Sequence, residues 1–226
     1  MIYFFADDHY NAHCGKNIYE NLPDNWKEKI TFRENDWAIL ESGSWLKDCD
    51  VLILNLIGTT CDLPHPGPGA EKAVLSWVEK GGNILLLHGA SAAFWQWPWW
   101  RNMVGLRWVR PGDPDGIVPS THPVKPYTVT LSKTRHPLIR ELHPFSLEED
   151  EIYTELEAVS PVMVFMETKI EEGSFPQAFE TLTPCGGKIV SFLPGHRESS
   201  FRNRDFQHNI LKLISYLNGE NENAKI

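Results

Sequence analysis

The segment from Gly81 to Ala90, Gly-Gly-Asn-Ile-Leu-Leu-Leu-His-Gly-Ala, constrains the fold of this chain more than any other stretch. Its two glycines can end a helix through a left-handed conformation. The apolar run that follows does not alternate with polar residues, which is typical of a strand buried on both faces. Ligands of open parallel sheets collect at the carboxyl ends of the strands, where His88 falls. We predict a buried strand that ends at a functional histidine; a satisfied core histidine is the alternative.

Helices and strands alternate through the first half of the chain. Apolar runs at Ile2–Ala6 and at 51–56 predict two further buried strands. Small and apolar residues recur at helical spacing over 68–80, which predicts an amphipathic helix before Gly81. Such an alternation predicts an α/β fold with a mainly parallel sheet that is covered on both sides.

The second half of the chain departs from this alternation. The remaining predicted elements are strands at 126–131, 162–166 and 188–193 and a helix at 206–217. The additional strands between about residues 106 and 170 indicate a mixed extension or insertion rather than a separate domain. We expect a single domain over residues 1–219 and a frayed polar tail over 220–226.

Composition argues against several classes of partner. The 226 residues carry 30 Asp and Glu against 21 Lys and Arg, for a net charge of −9, whereas nucleic-acid binding relies on clustered basic residues. No apolar segment approaches the length of a membrane span, so neither nucleic acid nor a membrane is expected as a partner. A small neutral or polar substrate is favoured.

The four cysteines form no C-x-x-C pair, which favours reduced thiols in a cytoplasmic protein. Cys49 and Cys185 are expected to be structural. Cys14 and Cys61 fall in predicted loops and are weak candidates for reactivity.

Histidines follow several predicted strands. His196 comes after the last core strand in Leu-Pro-Gly-His, which repeats the situation of His88, and His122 is a third candidate. The residues after the first strand, Asp7, Asp8, His9 and His13, are weaker candidates. Imidazole titrates near neutrality and suits general acid–base catalysis. Together with carboxylates it could instead hold a divalent metal, although no H-E-x-x-H motif is present.

An acidic run at 148–151 precedes Ile152-Tyr153. Its composition alone favours a solvated turn. Carboxylates that belong to a functional site are the alternative interpretation.

Five aromatic residues occur within the seven positions 94–100. Flat rings suit the apolar face of a sugar, but Trp is highly buried on average. We therefore expect most of these rings in the core and one or two, Trp95 and Trp97, in a pocket.

Taken in order along the chain, these motifs resemble the trehalose-utilisation (ThuA-like) family. The ordered set is Gly81-Gly82, His88-Gly89-Ala90, the Trp-rich stretch, Gly105, His122, His136-Pro137, Asp150-Glu151-Ile152-Tyr153 and Pro194-Gly195-His196. The resemblance covers about residues 50 to 218. It implies a three-layer, flavodoxin-like fold of the class I glutamine amidotransferase-like type. In catalytic relatives of that superfamily a cysteine nucleophile precedes the histidine, but here Leu87 stands at that position, so thiol chemistry does not carry over.

The resemblance implies carbohydrate metabolism, in particular cleavage of 3-keto-glucosides such as 3-keto-trehalose. A ketone at C3 acidifies the C2 proton, so that a base can remove it, the C1 substituent can leave, and water can add. The implied catalytic residues are His88, His122, Asp150, Glu151, Tyr153 and His196, and the expected substrate-binding residues are His9, Gly89, Trp95 and Trp97. One strand-end histidine would be the base, one of the two carboxylates the acid or an orienting partner, and Tyr153 and His122 donors to the enolate oxygen.

Two other functions stay open. The first is a non-catalytic sugar-binding or regulatory domain. The second is a metal-dependent hydrolase that holds its ion with His88, His122, Glu151 and His196. No cofactor is expected, with a divalent metal as the alternative. The expected partners are a small sugar substrate, a second copy in a homodimer, and an oxidoreductase that supplies the oxidised sugar.

Overall fold

The computed structural model describes residues 1–58, 66–113 and 115–220. The predictions for Cys61 and for the tail beyond residue 220 lie outside these ranges. Within them the strands are β1 (Ile2–Ala6), β2 (Ile30–Glu34), β3 (Val51–Asn55), β4 (Asn83–Leu87), β5 (Leu106–Arg107), β6 (Val124–Leu131), β7 (Phe145–Glu151), β8 (Glu157–Ala158), β9 (Met163–Ile170), β10 (Gly173–Leu182) and β11 (Lys188–Phe192). The α-helices are α1 (Cys14–Glu20), α2 (Asp24–Lys27), α3 (Ala38–Ser42), α4 (Pro68–Glu79), α5 (Pro98–Arg101), α6 (Glu198–Arg202) and α7 (Arg204–Leu217). Short 3-10 helices lie at His9–Asn11, Ser44–Lys47, His88–Ala92 and Pro137–Arg140.

Nine of the described strands form one mixed sheet in the order β2-β1-β3-β4-β11-β10-β9-β6-β7. The first five strands are parallel, which confirms the α/β alternation predicted from the sequence. The last four join antiparallel, so β6, β7 and β9 of the region between residues 106 and 170 extend the same sheet. A small antiparallel ribbon pairs β5 with β8.

The non-alternating apolar strands are buried on both faces of the sheet. In β3, Val51 and Ile53 belong to the core that includes α1 and α7, whereas Leu52 and Leu54 belong to the core that includes α3 and α4. Each face of such a strand needs apolar side chains, because successive residues point to opposite sides. This requirement explains why β3 is a continuous apolar run, whereas a half-exposed strand alternates polar and apolar residues.

The antiparallel extension curls back over one face of the sheet. Four antiparallel steps separate β11 from β7, so these two strands run in the same direction. The ring of Phe145, at the start of β7, lies 6.1 Å from the ring of Phe192 in β11 and 6.1 Å from that of Phe206 in α7. The curl therefore brings the carboxyl end of β7 to the edge where β1, β4 and β11 also end.

The interpretation of the acidic run as a solvated turn is wrong. Residues 148–151 form the second half of β7, where Asp150 is fully buried and Glu151 is 9% exposed. Composition could not reveal this burial, because it results from the curl of β7 and from the contact of that strand with α6.

Two expectations about cysteines are also corrected. Cys14 is the first residue of α1 and is buried, not part of a loop. Cys185, which was expected to be structural, is exposed, whereas Cys49 is partly buried against the core and keeps its expected role.

Among the described residues, no helix is both long and apolar enough to cross a membrane.

Candidate active site

A cavity that is partly open to solvent lies at the edge of the sheet where β1, β3, β4, β7 and β11 end. Seven of the ten residues that the sequence predicted for the site line it: His9, His88, Gly89, His122, Glu151, Tyr153 and His196. The carboxyl ends of parallel strands are the usual ligand site of such a sheet. The antiparallel β6 begins at the same edge, which places His122 there as well.

The turn after β4 presents His88 to this cavity. His88 has a φ of +51°, a left-handed conformation that is uncommon outside glycine and is often found at functional sites. Its Nδ1 donates a hydrogen bond to the carbonyl oxygen of Leu193 at 3.0 Å, so Nε2 faces the cluster. A Cβ on the next residue, Gly89, would lie 2.8 Å from Cγ2 of Ile57 and 3.2 Å from the hydroxyl of Tyr153, so only glycine fits here.

Glu151 joins three histidines into one cluster. His88 Nε2 lies 3.4 Å from Glu151 Oε2, 3.1 Å from His196 Nδ1 and 3.1 Å from the Tyr153 hydroxyl. The other carboxylate oxygen of Glu151 lies 3.3 Å from His122 Nδ1 and 3.7 Å from His196 Nε2. These contacts place a buried carboxylate between side chains that can carry positive charge.

Asp150 points away from the cavity and holds the backbone of the site. Its oxygens accept hydrogen bonds from the backbone N–H groups of Glu151 at 2.8 Å, Gly195 at 2.8 Å and His196 at 3.0 Å, and from the Ser200 hydroxyl at 2.5 Å. Of the two roles expected for this carboxylate, acid or orienting partner, these contacts fit the orienting one. Asp150 fixes the segments that carry Glu151 and His196.

Asp7 performs a similar task for His9. One oxygen of the Asp7 carboxylate contacts Nδ1 of His9, and the other accepts hydrogen bonds from the N–H groups of Ile57 at 3.0 Å and Gly58 at 2.9 Å. The Nε2 atom of His9 is buried and has no hydrogen-bond partner among the described residues. The rings of His9 and His88 are nearly parallel, with centroids 6.3 Å apart.

The two tryptophans predicted to bind substrate do not reach the cavity. Trp97 is 3% exposed and stacks on Phe94 in the core, with ring centroids 3.9 Å apart. Trp95 is partly buried and lies beside the guanidinium groups of Arg110 and Arg101, at 5.0 and 5.7 Å. Neither ring lines this cavity, because spacing within an aromatic stretch does not show which rings face a pocket.

Besides Tyr153, the Trp and Tyr rings that line the cavity are those of Trp108 and Tyr10. Trp108 packs against Tyr153 with ring centroids 4.8 Å apart, and Tyr10 is 69% exposed. Ile57 and Ala92 complete the lining. The sequence analysis missed all four, although Tyr10 stands beside His9 after the first strand and could have been found from that position.

The two clustered imidazoles have opposite pKa shifts. Burial lowers the pKa of His88, but the carboxylates of Glu151 and Asp150 outweigh burial and raise it above its usual value. For His196, burial and then the neighbouring His88 lower the pKa to about 4. The surroundings therefore favour the protonated form of one imidazole of the pair and the neutral form of the other.

The pKa values of the acidic groups are shifted as well. Burial raises the pKa of Glu151, but His88, His196 and His122 have the larger, opposite effect. The resulting pKa is about 2, so the carboxylate is ionised at neutral pH. Burial, followed by the charges of Glu151 and Asp150, raises the pKa of Tyr153 well above its usual value. Its hydroxyl group keeps its proton and can donate it in a hydrogen bond.

The shift of His196 predicts a pH-dependent stability. Between about pH 6.5 and pH 5 the unfolded chain takes up a proton at this imidazole and the folded chain does not, so acidification lowers the free energy of unfolding by about 2 kcal/mol. The variant His196→Gln is expected to lose this contribution in urea unfolding measured across that window. The variant His143→Gln, at an exposed histidine, should behave like the wild type. Parallel pH profiles for the wild type and His196→Gln would contradict the assignment.

Two groups of side chains in the described part of the chain could hold a metal ion. The ligand atoms of His88, Glu151 and His196 lie within 4.8 Å of one another, and so do those of His9, Cys14 and His196. His122 belongs to neither group. Of the four metal ligands expected from the sequence, the structure thus brings together three, His88, Glu151 and His196.

Solved structures share this mixed α/β fold. A ThuA-like protein from Parabacteroides merdae is 14% identical, with a TM-score of 0.74 over 97% of this chain and 89% of that one. A cytoplasmic protein from Salmonella typhimurium is 12% identical, with a TM-score of 0.62 over 95% and 98% of the two chains. A β-galactosidase from Bacillus circulans sp. alkalophilus is 10% identical, with a TM-score of 0.55 over 98% of this chain but 31% of that one. At these identities the likeness shows the fold alone.

Family membership follows from the sequence. The family model described as ThuA, trehalose utilisation, matches residues 3–217, so this chain belongs to the ThuA family. Membership implies a role in carbohydrate metabolism. No curated protein matches the sequence significantly.

Proposed function

We propose that this protein cleaves 3-keto-glucosides by acid–base chemistry at His88, Glu151 and His196. The observation that carries the proposal is the pair of imidazoles 3.1 Å apart whose pKa values are shifted in opposite directions. When neighbouring titratable groups are driven apart in this way, one is suited to act as the acid and the other as the base. Their position in a cavity beside two aromatic rings suits a sugar.

In this mechanism neutral His196 removes the C2 proton of the 3-keto-sugar, and the electron pair forms an enolate with the C3 oxygen. Tyr153 and His122 donate hydrogen bonds to that oxygen. The bond from C1 to the leaving oxygen then breaks, and protonated His88 gives its proton to that oxygen. Water then adds across the resulting C1–C2 double bond: its oxygen binds C1, His196 returns the proton to C2, and His88 takes the remaining proton of the water. The products are a free 3-keto-sugar and an alcohol.

Glu151 keeps its partner His88 protonated in this scheme. With a pKa of about 2, its carboxyl group is ionised and is poorly suited to be the general acid. The sequence left two roles open for Glu151, general acid and orienting partner. The role of orienting partner, which stabilises the charge of His88, is therefore favoured.

The finer fold assignment is also a proposal. The parallel strands follow the order β2-β1-β3-β4-β11, which supports a flavodoxin-like, class I glutamine amidotransferase-like arrangement of three layers. Leu87 stands before His88 in the turn where catalytic relatives carry a cysteine. A cytoplasmic location, a homodimer and an oxidoreductase partner stay predictions.

The proposal is tested with the purified full chain, 3-keto-trehalose and unoxidised trehalose, with free sugar release as the readout. We expect turnover of the keto-sugar alone, with losses of at least about 100-fold in kcat for His88→Gln and for His196→Gln. The variant His143→Gln is the matched control. Failure to turn over any 3-keto-glucoside, or full activity in both site variants, would overturn the proposal. Binding without turnover would favour a sugar-binding domain.

A metal-dependent hydrolase is the second candidate. It is favoured because the ligand atoms of His88, Glu151 and His196 lie within 4.8 Å of one another. A metal ion held there would polarise a sugar oxygen or activate water. Chelation that abolishes turnover, with recovery on adding metal back, would support this candidate; activity that survives chelation would remove it.

A further inference from the structure

Three side chains with metal-ligating atoms meet at one side of the cavity. His9 follows β1, Cys14 begins α1 and His196 follows β11, and their ligand atoms lie within 4.8 Å of one another. The sulfur of Cys14 is 4.0 Å from Nδ1 of His196. We propose that these three residues bind a divalent metal ion of the zinc class. The inference rests on their contacts and not on the keto-glucoside chemistry. A metal ion on His196 would replace the role of that imidazole as the base, because a neutral imidazole has a single lone pair.

The strongest evidence is the free nitrogen of His9. Its Nε2 is buried in a residue that is 2% exposed, and it has no hydrogen-bond partner within the described residues. Buried polar atoms in native proteins nearly always have a partner, so each exception needs an explanation. A metal ion would be that partner.

Asp7 completes an arrangement that metal-binding histidines commonly share. A ligating imidazole usually donates its other N–H to a carboxylate, which fixes the tautomer and the orientation of the ring. Asp7 contacts Nδ1 of His9 in this way and is itself fixed by the N–H groups of Ile57 and Gly58. The imidazole is thus held with Nε2 free for an ion.

The donor set determines the kind of ion. One thiolate and two imidazoles suit zinc, and three protein ligands leave a fourth position open, as in catalytic zinc sites. Tetrahedral zinc holds sulfur and nitrogen about 3.6 Å apart, so Cys14 and His196 need to approach by only about half an ångström. Binding releases the thiol proton of Cys14 to solvent. His9 and His196 line the cavity, so the fourth position is open to an oxygen ligand from that side.

Cobalt titration tests the site without any sugar present. The full chain, treated with a chelator and dialysed, is titrated with Co²⁺, and the sulfur-to-cobalt charge-transfer absorption is recorded in the near ultraviolet. We expect one equivalent of Co²⁺ to produce the band in the wild type and no band in Cys14→Ser. The exposed Cys185 provides the matched control, since Cys185→Ser should keep the band.

Two further variants keep the thiol and change its surroundings. His9→Gln should weaken Co²⁺ binding at least about 10-fold, and Asp7→Asn by about 10- to 100-fold. No band in the folded wild type, a band retained in Cys14→Ser, or unchanged affinity in His9→Gln would each overturn the proposal. Because the readout is an absorbance in the absence of substrate, its failure is distinguishable from a failure of the proposed sugar cleavage.

Discussion

Replacing Glu151 by glutamine is expected to lower kcat/KM for 3-keto-glucosides by about 100- to 10,000-fold. The amide keeps the shape of the side chain but removes the charge that favours protonated His88 and lies against three imidazoles. Without this charge the pKa of His88 falls, because burial then dominates. The alkaline limb of the pH profile, where the acid loses its proton, should therefore move to lower pH. Steady-state kinetics across the pH range measures both effects.

Glu149 provides the control for this experiment. It lies on the same strand, two residues earlier, and faces solvent, so Glu149→Gln makes the same chemical change outside the cavity. We expect it to leave both kcat/KM and the alkaline limb unchanged. Wild-type activity in Glu151→Gln, or a lowered rate with the alkaline limb in its original place, would contradict the role given to the carboxylate.

Asp150→Ala is expected to lower the free energy of unfolding by at least about 3 kcal/mol. The carboxylate is fully buried and accepts hydrogen bonds from three backbone N–H groups and the Ser200 hydroxyl. Alanine leaves these donors buried without an acceptor, and each unsatisfied donor costs about 1–3 kcal/mol. Urea unfolding at neutral pH measures the loss.

The matched variants separate this effect from the loss of a carboxylate in general. Glu148→Ala, at an exposed position of the same strand, should change the free energy of unfolding by less than about 0.5 kcal/mol. Asp150→Asn keeps an acceptor oxygen, so its loss in the free energy of unfolding should lie between those of Asp150→Ala and Glu148→Ala. A loss below about 1 kcal/mol in Asp150→Ala would show that the turn bearing His196 is held by other contacts.

The difference between Asp150 and Glu151 shows where sequence reasoning reached its limit. Both belong to one acidic run, and composition favoured a solvated turn for all of it. Alternation along β7 separates the two side chains, since Asp150 meets the backbone of the His196 segment and Glu151 faces the cavity. The family resemblance named both residues, but it did not distinguish the positioning group from the group at the cluster.

Local patterns in the sequence determined the parallel strands, the helix before Gly81, and the placement of His88 and His196 at carboxyl ends. These features depend on neighbours along the chain, which is why periodicity and glycine positions could predict them. The tertiary structure alone decided the burial of Glu151, the burial of Trp97 in the core and the approach of His196 to Cys14. Each of these depends on how segments pack in three dimensions. The burial of Glu151 depends on the curl that brings β7 back over a sheet in which it lies four strands from β11.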